Sequence, residues 1–358
     1  MDTTPLASGA AVRHVLRFEG RAGEYFRIWI VNLALTILTL GIFSAWAKIR
    51  TKRYLYGNTY IGEHAFDYHA SPWRILLGRV IALVLLLGYS ITAAIAPKFV
   101  IAWIVVFLIA MPWLVKSSLR FNARNTSYRN IRFNFHGTYG GALKAFILWQ
   151  ILAFITLFTT LPLAHRARDY YNINNHSFGG KAFETVIPGG RIYLIYLLGV
   201  VIYIGGFLAI GLAIASAMGG ISFIPGSHHL PSINPAAIPA VAIAMAIYIF
   251  VIILVPILIQ TMTFNLAVSR TRLGGDYQLE ARLSPLWMAW ILFSNLVATL
   301  FTLGLLYPWA RVRQTRYMAG RIAITGPDDM SGFVSNVSGV PGAVGEEIAG
   351  FFDIDFGL

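Results

Sequence analysis

Of the chain's 358 residues 57% are hydrophobic and only 12% charged, against roughly 25% charged in soluble domains, so composition excludes an ordinary soluble fold and points to lipid. Six of the 15 acids follow Arg321, the last basic residue, leaving residues 1–321 with 28 basic side chains against nine acids, a charge of +19. The basic residues flank apolar runs, where headgroups and the positive-inside rule account for them, so nucleic acid is not an expected partner. Cysteine is absent, which excludes disulfides, thiolate zinc sites and cysteine nucleophiles.

The first 25 residues carry Arg13, Arg17 and Arg21 without an apolar core, so they do not read as a cleavable signal, and the first apolar segment is expected to direct insertion. Seven runs approach the about 20 apolar residues that span a bilayer: 26–47, 75–95, 99–115, 142–164, 192–219, 237–268 and 287–310. The expected class is an all-α polytopic membrane protein of about seven apolar segments in internal repeats, with short β-strands in the cytoplasmic-side loops.

The repeats are explicit. Trp46–Tyr54 (WAKIRTKRY) returns at Trp309–Tyr317 (WARVRQTRY), and NLALTILTLGIFSA from Asn32 aligns without gaps on NLVATLFTLGLLYP from Asn295, all at an offset of 263. The stretch from Trp46 also aligns on that from Trp113, matching Arg53 with Arg120 and His69 with His136. A period of 117 sets Phe18, Gly20 and Arg27 on Phe135, Gly137 and Lys144. Residues 1–132 and 133–278 therefore read as two repeat units, 279–325 as a partial third and 326–358 as an acidic tail, disordered apart from a short helix at Glu346–Phe352. A further copy near Arg270–Leu283 is too degenerate to align.

After each basic helix end the pattern changes to period two, as in Ile131-x-Phe133-x-Phe135, Tyr277-x-Leu279 and Ile322-x-Ile324, which predicts strands. A lone hairpin is marginal in water, so these strands, with Val15–Phe18, are expected to pair as a small β layer on one face of the membrane. Seven simple crossings would put 15 basic residues on one side and 12 on the other. If 26–47, 142–164 and 287–310 instead enter and leave on one side, 26 face the cytoplasm and only Lys98 faces out, which obeys the positive-inside rule far better. The outer turns are then Ala96–Lys98 and Gly219–Pro235. Those three segments carry possible breaks at Thr39-Leu40-Gly41, Leu161-Pro162 and Thr302-Leu303-Gly304. Crossing and re-entrant topologies both stay open.

Four stretches carry a resemblance: FEGxxGEYF at Phe18–Phe26, TLGIxxxWAKxRxxRY at Thr39–Tyr54, its return at Thr302–Tyr317, and GEEIAGFFDID at Gly345–Asp355. Over nearly the whole length the chain resembles the bacterial YjgN-like inner-membrane family, catalogued as domain of unknown function 898. The resemblance implies a multi-pass protein of the bacterial inner membrane and brings no catalytic residues with it.

Candidate site residues follow from charge and position. Trp46, Arg50, Arg53 and Tyr54, with Trp309, Arg313, Arg316 and Tyr317, put two guanidinium groups three residues apart on one helix face beside aromatic rings, which suits an anionic phospholipid headgroup; Arg120 is the equivalent in the second copy. Ordinary interfacial anchoring, the commoner role of Trp and Arg at helix ends, also explains the same residues. Asn32, Arg79, Gln150 and Asn295 are polar groups inside apolar segments, expected either to hydrogen-bond between helices or to line a cavity. The histidines form no ligand set, His69 and His136 being repeat positions and His228-His229 lacking a nearby carboxylate, so no metal or other cofactor is expected. No phosphate loop or nucleophile elbow is present, and the chain is not expected to be an enzyme.

Two functions remain open: a transporter or channel for a small solute or lipid, as internal repeats and broken segments suggest, or a non-transporting scaffold that binds anionic lipid. Expected partners are membrane phospholipids and, for a transporter, its substrate. The tail is expected to be cytoplasmic, and the oligomeric state is not legible.

Overall fold

The computed structural model describes residues 11–217 and 238–327. The loop Gly219–Pro235, with His228 and His229, and the tail, with Glu346–Phe352, lie outside the described residues. Ten strands form: β1 (Val12–Phe18), β2 (Thr59–Ile61), β3 (His64–Tyr68), β4 (Thr126–Tyr128), β5 (Ile131–Phe135), β6 (His176–Phe178), β7 (Lys181–Thr185), β8 (Thr271–Leu273), β9 (Tyr277–Ala281) and β10 (Ile322–Gly326). They close into one antiparallel barrel, each strand bonded to its neighbours in sequence and β10 bonded to β1. Closure leaves no edge strand, which is how such short strands form a stable sheet.

The alternation read from the sequence supplies the barrel's filling. Every strand turns at least one apolar side chain inward: Leu16, Ile61, Phe66, Tyr128, Ile131, Phe133, Phe178, Phe183, Leu273, Tyr277, Leu279 and Ile324 pack together along the axis. Phe133 sits at the centre, its ring centroid 4.7 Å from that of Phe178. The two-residue turns Arg129-Asn130 and Gly179-Gly180 have positive φ at both positions, the conformation whose twist matches a tight antiparallel hairpin.

Between successive barrel strands the chain makes helical excursions. Outgoing helices are α1 (Ala22–Leu38), α3 (Pro72–Ile95), α5 (Tyr139–Ile155), α7 (Gly189–Ala217) and α9 (Pro285–Phe301); returning helices are α2 (Ser44–Gly57), α4 (Val100–Asn125), α6 (Leu161–Asn174), α8 (Ile238–Ser269) and α10 (Tyr307–Ala319). The fold is thus five strand–helix–helix–strand units in a ring. Four hairpins link successive units, and the pairing of β1 with β10, at the two ends of the described chain, closes the ring.

This corrects the expected class. The protein is not all-α with about seven apolar segments: it has a closed ten-stranded barrel, and among the described residues only four helices are long and apolar enough to cross a membrane, α3, α4 with its leading turn from Pro97, α7 and α8. The runs 26–47, 142–164 and 287–310, left open between crossing and re-entrant, are each a helix pair folded back on itself. At the three tips the chain turns through Thr39–Phe43, Thr156–Thr160 and Thr302–Leu306. The amides of Gly41, Phe158 and Gly304 bond back five residues to Thr36, Ala153 and Thr299, at 2.6–2.7 Å, with Leu40, Leu157 and Leu303 held at φ near +50°. A left-handed residue closing the last turn in this way ends a helix. The hydroxyl of Thr39, Thr156 or Thr302 then accepts from the amide four residues on, which starts the returning helix. The tips present apolar side chains outward, Leu40 being 95% and Leu303 96% exposed, as suits lipid contact.

Buried prolines relate the short pairs to the long ones. Pro162 and Pro308 stand in the first turn of α6 and α10, where a missing amide costs nothing. Pro112 holds the same place relative to its following strand, inside the continuous helix α4. Units two and four are the short pair extended across the bilayer. At 24–32 residues the long helices run about 36–48 Å, enough for a ~30 Å hydrocarbon core, and only 6–11% of the apolar stretch of each is buried, as suits a helix in lipid.

Candidate headgroup interface

The sequence-predicted arginines are built into the fold. In the first short pair Asn32 Nδ2 donates to the Ala47 carbonyl at 3.4 Å and Arg50 Nη1 donates to Asn32 Oδ1 at 3.1 Å. In the fifth unit Asn295 Nδ2 donates to Ala310 O at 3.0 Å, while Arg313 Nη1 donates to Asn295 Oδ1 at 3.1 Å and to Ser294 Oγ at 2.7 Å. Each Asn therefore clamps two antiparallel helices at an equivalent level, and the two amides belong to separate hairpins rather than to one cavity wall. Asn32 and Asn295 are 4% and 6% exposed.

A second set of arginines ties units to one another. Arg53 donates to the carbonyls of Tyr68 and Ala70, Arg166 to that of Ile187 at 2.7 Å and Arg316 to that of Gly20 at 2.8 Å. Each accepting residue, Ala70, Ile187 or Gly20, lies two positions before the next outgoing helix, and the last bond closes the ring from α10 back to α1. At the base of the short pairs the Tyr54 and Tyr317 hydroxyls accept from the Arg21 and Ser284 amides, and Tyr171 donates to Thr138 O. Trp46 packs edge-on against Trp73, and Arg313 lies 5.1 Å from the Trp309 ring. Arg79 donates to Ser44 Oγ, so the first tip lies against the second turn of α3. Arg120 is half-buried with its Nε unpartnered among the described residues, and Gln150 is half-buried on α5.

The side chains that do point outward form a belt. In the first two turns of the outgoing helices lie the exposed Arg27, Arg74, Lys144 and Arg191, one in each of units one to four; none is held in a hydrogen bond or ion pair among the described residues. Exposed aromatics share those turns: Phe26, Trp73, Tyr139 and Tyr193, with Trp287 and Trp290 in unit five. Basic and aromatic side chains at helix bases that emerge from a water-soluble barrel into apolar arms are the composition of a membrane–water boundary. Arg27 and Lys144 were visible as repeat equivalents; that Arg74 and Arg191 join them depends on the barrel aligning helices whose loops differ in length.

A buried polar cluster was missed altogether. On α6, outside the four spans, His165 Nδ1 lies 2.8 Å from Tyr196 Oη and its Nε2 lies 3.6 Å from Asp169 Oδ2. Burial pushes the Asp169 carboxyl up to about 7 and the His165 imidazole down to about 4, with the nearby Arg168 guanidinium partly offsetting the carboxyl's rise. Both shifts disfavour charge, so between about pH 4 and 7 the pair is neutral with its proton on the carboxyl. The i, i+4 spacing of His165 and Asp169 was legible, but Tyr196 comes from the next unit. Among the described residues no group of three His or acidic side chains is placed to hold a metal.

A closed barrel carrying four helices long and apolar enough to cross a bilayer defines a protein built for membrane insertion. The family model for bacterial proteins of unknown function DUF898 matches residues 13–351, and the chain belongs to that family. It is 24% identical over 193 residues to an inner membrane protein YjgN of Salmonella typhimurium, covering 54% of this chain and 45% of the relative, and 27% identical over 151 residues to the YjgN of Escherichia coli O157:H7 and K12, covering 42% of this chain and 36% of each relative. The matches thus span less than half of the relatives' own length. No solved structure matches the chain.

Proposed function

We propose that this is a non-catalytic scaffold of the bacterial inner membrane that binds anionic phospholipid around its barrel, with the barrel and the tail on the cytoplasmic side. The observation that carries this is the belt: four exposed cations and six exposed aromatics within two turns of where the helices leave the barrel. Cytoplasmic placement follows from charge, since with every helix pair returning to the barrel the basic surplus lies on one face. Each such cation near an anionic surface is worth about 1 kcal/mol. The transporter reading needs a polar path, yet Asn32 and Asn295 are spent on hairpin clamps and twelve side chains fill the barrel axis.

The test is native mass spectrometry of the full chain with phosphatidylglycerol or phosphatidylcholine added. Wild-type protein should retain phosphatidylglycerol preferentially, and the combined variant Arg27→Gln, Arg74→Gln, Lys144→Gln, Arg191→Gln should lose that preference. Equal retention of both lipids by wild-type and variant would remove the proposal.

A further inference from the structure

One place on the belt is more than a charged rim. Helices α7 and α8 pack tightly midway along their length, where Gly199 faces Val255 and Ile259 and Gly206 faces Tyr248, contacts that a Cβ at either glycine would crowd. Nearer the barrel, where Ile192 of α7 packs with Ala267 of α8, an open groove of about 440 Å³ runs along one side of the pair, lined by Leu194 and Ile195 of α7, Met262 and Leu266 of α8 and Pro285 at the start of α9. That volume falls within the range of small-molecule sites. Asn265 also lines it, but both ends of its amide are engaged by the Leu283 backbone, so the groove's walls are apolar.

The groove's mouth is cationic. Arg191 lines it directly, and Arg166 reaches the same corner, its Nη1 3.9 Å from where a Cβ on Gly189 would stand. α7 begins Gly189-Gly190, with open space around Gly190. A 29-residue helix therefore presents a bare N-terminus, where amides and the dipole favour an anion. At the corresponding base of α3 the helix begins Pro72-Trp73-Arg74 instead, without the pair of glycines.

We infer that this corner is a discrete site for one phospholipid, its phosphate held by Arg191 and the start of α7 and one acyl chain lying in the groove. A phosphate at the belt and a hydrocarbon chain running into the bilayer match the two halves of the site in order and polarity, and a free phosphate would leave the apolar half empty. The inference rests on the lipid-binding reading and narrows it to one position.

The test is titration of the full chain with dioleoylphosphatidylglycerol, counting bound lipids by native mass spectrometry. Arg191→Gln and, separately, Leu194→Trp or Met262→Trp, which fill the groove without touching charge, should each abolish the tightest-bound lipid or weaken it at least tenfold. Arg74→Gln should leave that lipid in place, and millimolar inorganic phosphate should not displace it. Wild-type affinity in both groove-filling variants, Arg191→Gln behaving like Arg74→Gln, or displacement by phosphate would overturn the site. If the four-cation variant loses lipid while the groove-filling variants do not, the belt stands and the groove falls. If the groove-filling variants lose one lipid and the four-cation variant loses that one alone, the groove stands without the belt.

Discussion

Replacing Asn295 with Ala tests whether the short helix pairs are held by their clamps or merely by the barrel beneath. The substitution removes the donor to Ala310 O, at 3.0 Å, and the acceptor for Arg313 Nη1, at 3.1 Å. Ala310 lies within α10 and its carbonyl keeps its intrahelical partner, so losing the second bond costs about 0.5–1.5 kcal/mol. Arg313 keeps Ser294 Oγ at 2.7 Å and the Trp309 ring, so its loss is smaller, about 0.5–1 kcal/mol. Polar contacts measured in membrane helices average only about 0.6 kcal/mol, which places the expected loss near 1–2 kcal/mol in all. Equilibrium unfolding in mixed micelles reads this, and a cycle with Arg313→Gln should give a coupling of about 0.5–1 kcal/mol because both variants break one shared bond. A loss under about 0.3 kcal/mol, or strict additivity, would show that the clamp contributes nothing and that the barrel alone sets the hairpin.

Other outcomes follow from the same geometry. Phe133→Ala empties the middle of the barrel, between Phe66, Phe178 and Phe183, and should cost roughly 3–5 kcal/mol in the same unfolding assay, far more than any change at the exposed tips. Between about pH 4 and 6.5 the folded His165–Asp169 pair holds one proton on its carboxyl and the unfolded pair holds one on its imidazole, so the pair gives no pH dependence there. Asp169→Asn leaves only the depressed His165, so that variant should lose stability as pH falls below about 6.5 while wild-type does not; parallel profiles would refute the assignment. Single cysteines at Glu63, Arg129 or Gly180, in the barrel turns, should resist an impermeant maleimide on intact cells while one at Lys98 reacts. Labelling of both sets would mean that the barrel and the α3–α4 turn share a face.

Several features were legible because they are local or repeated. The offset of 263 matched Gly41 with Gly304, two tips that share one backbone geometry, whereas the third break, expected at Leu161-Pro162, falls a turn earlier at Thr156–Thr160. Period-two runs fall on β5, β9 and β10, since alternation is written residue by residue. Membrane residence followed from composition alone. The roles of the arginines were not legible, because a guanidinium in a basic aromatic helix looks alike whether it meets a headgroup or a carbonyl. Arg316 reaches Gly20, 296 residues away, and no spacing rule connects them.

Sequence by itself determined that the chain belongs in lipid, that it repeats, and where several of its strands and two of its three breaks fall, because hydrophobicity, periodicity and the preferences of Gly and Thr act over a few residues. Only tertiary structure decided that the strands close. β1 and β10 lie about 310 residues apart and pair solely because the three units between theirs bring their edges together, burying the last unpaired backbone groups of the sheet. That closure aligns Arg27, Arg74, Lys144 and Arg191 at one level and leaves the groove along α7 and α8 beside a bare helix start.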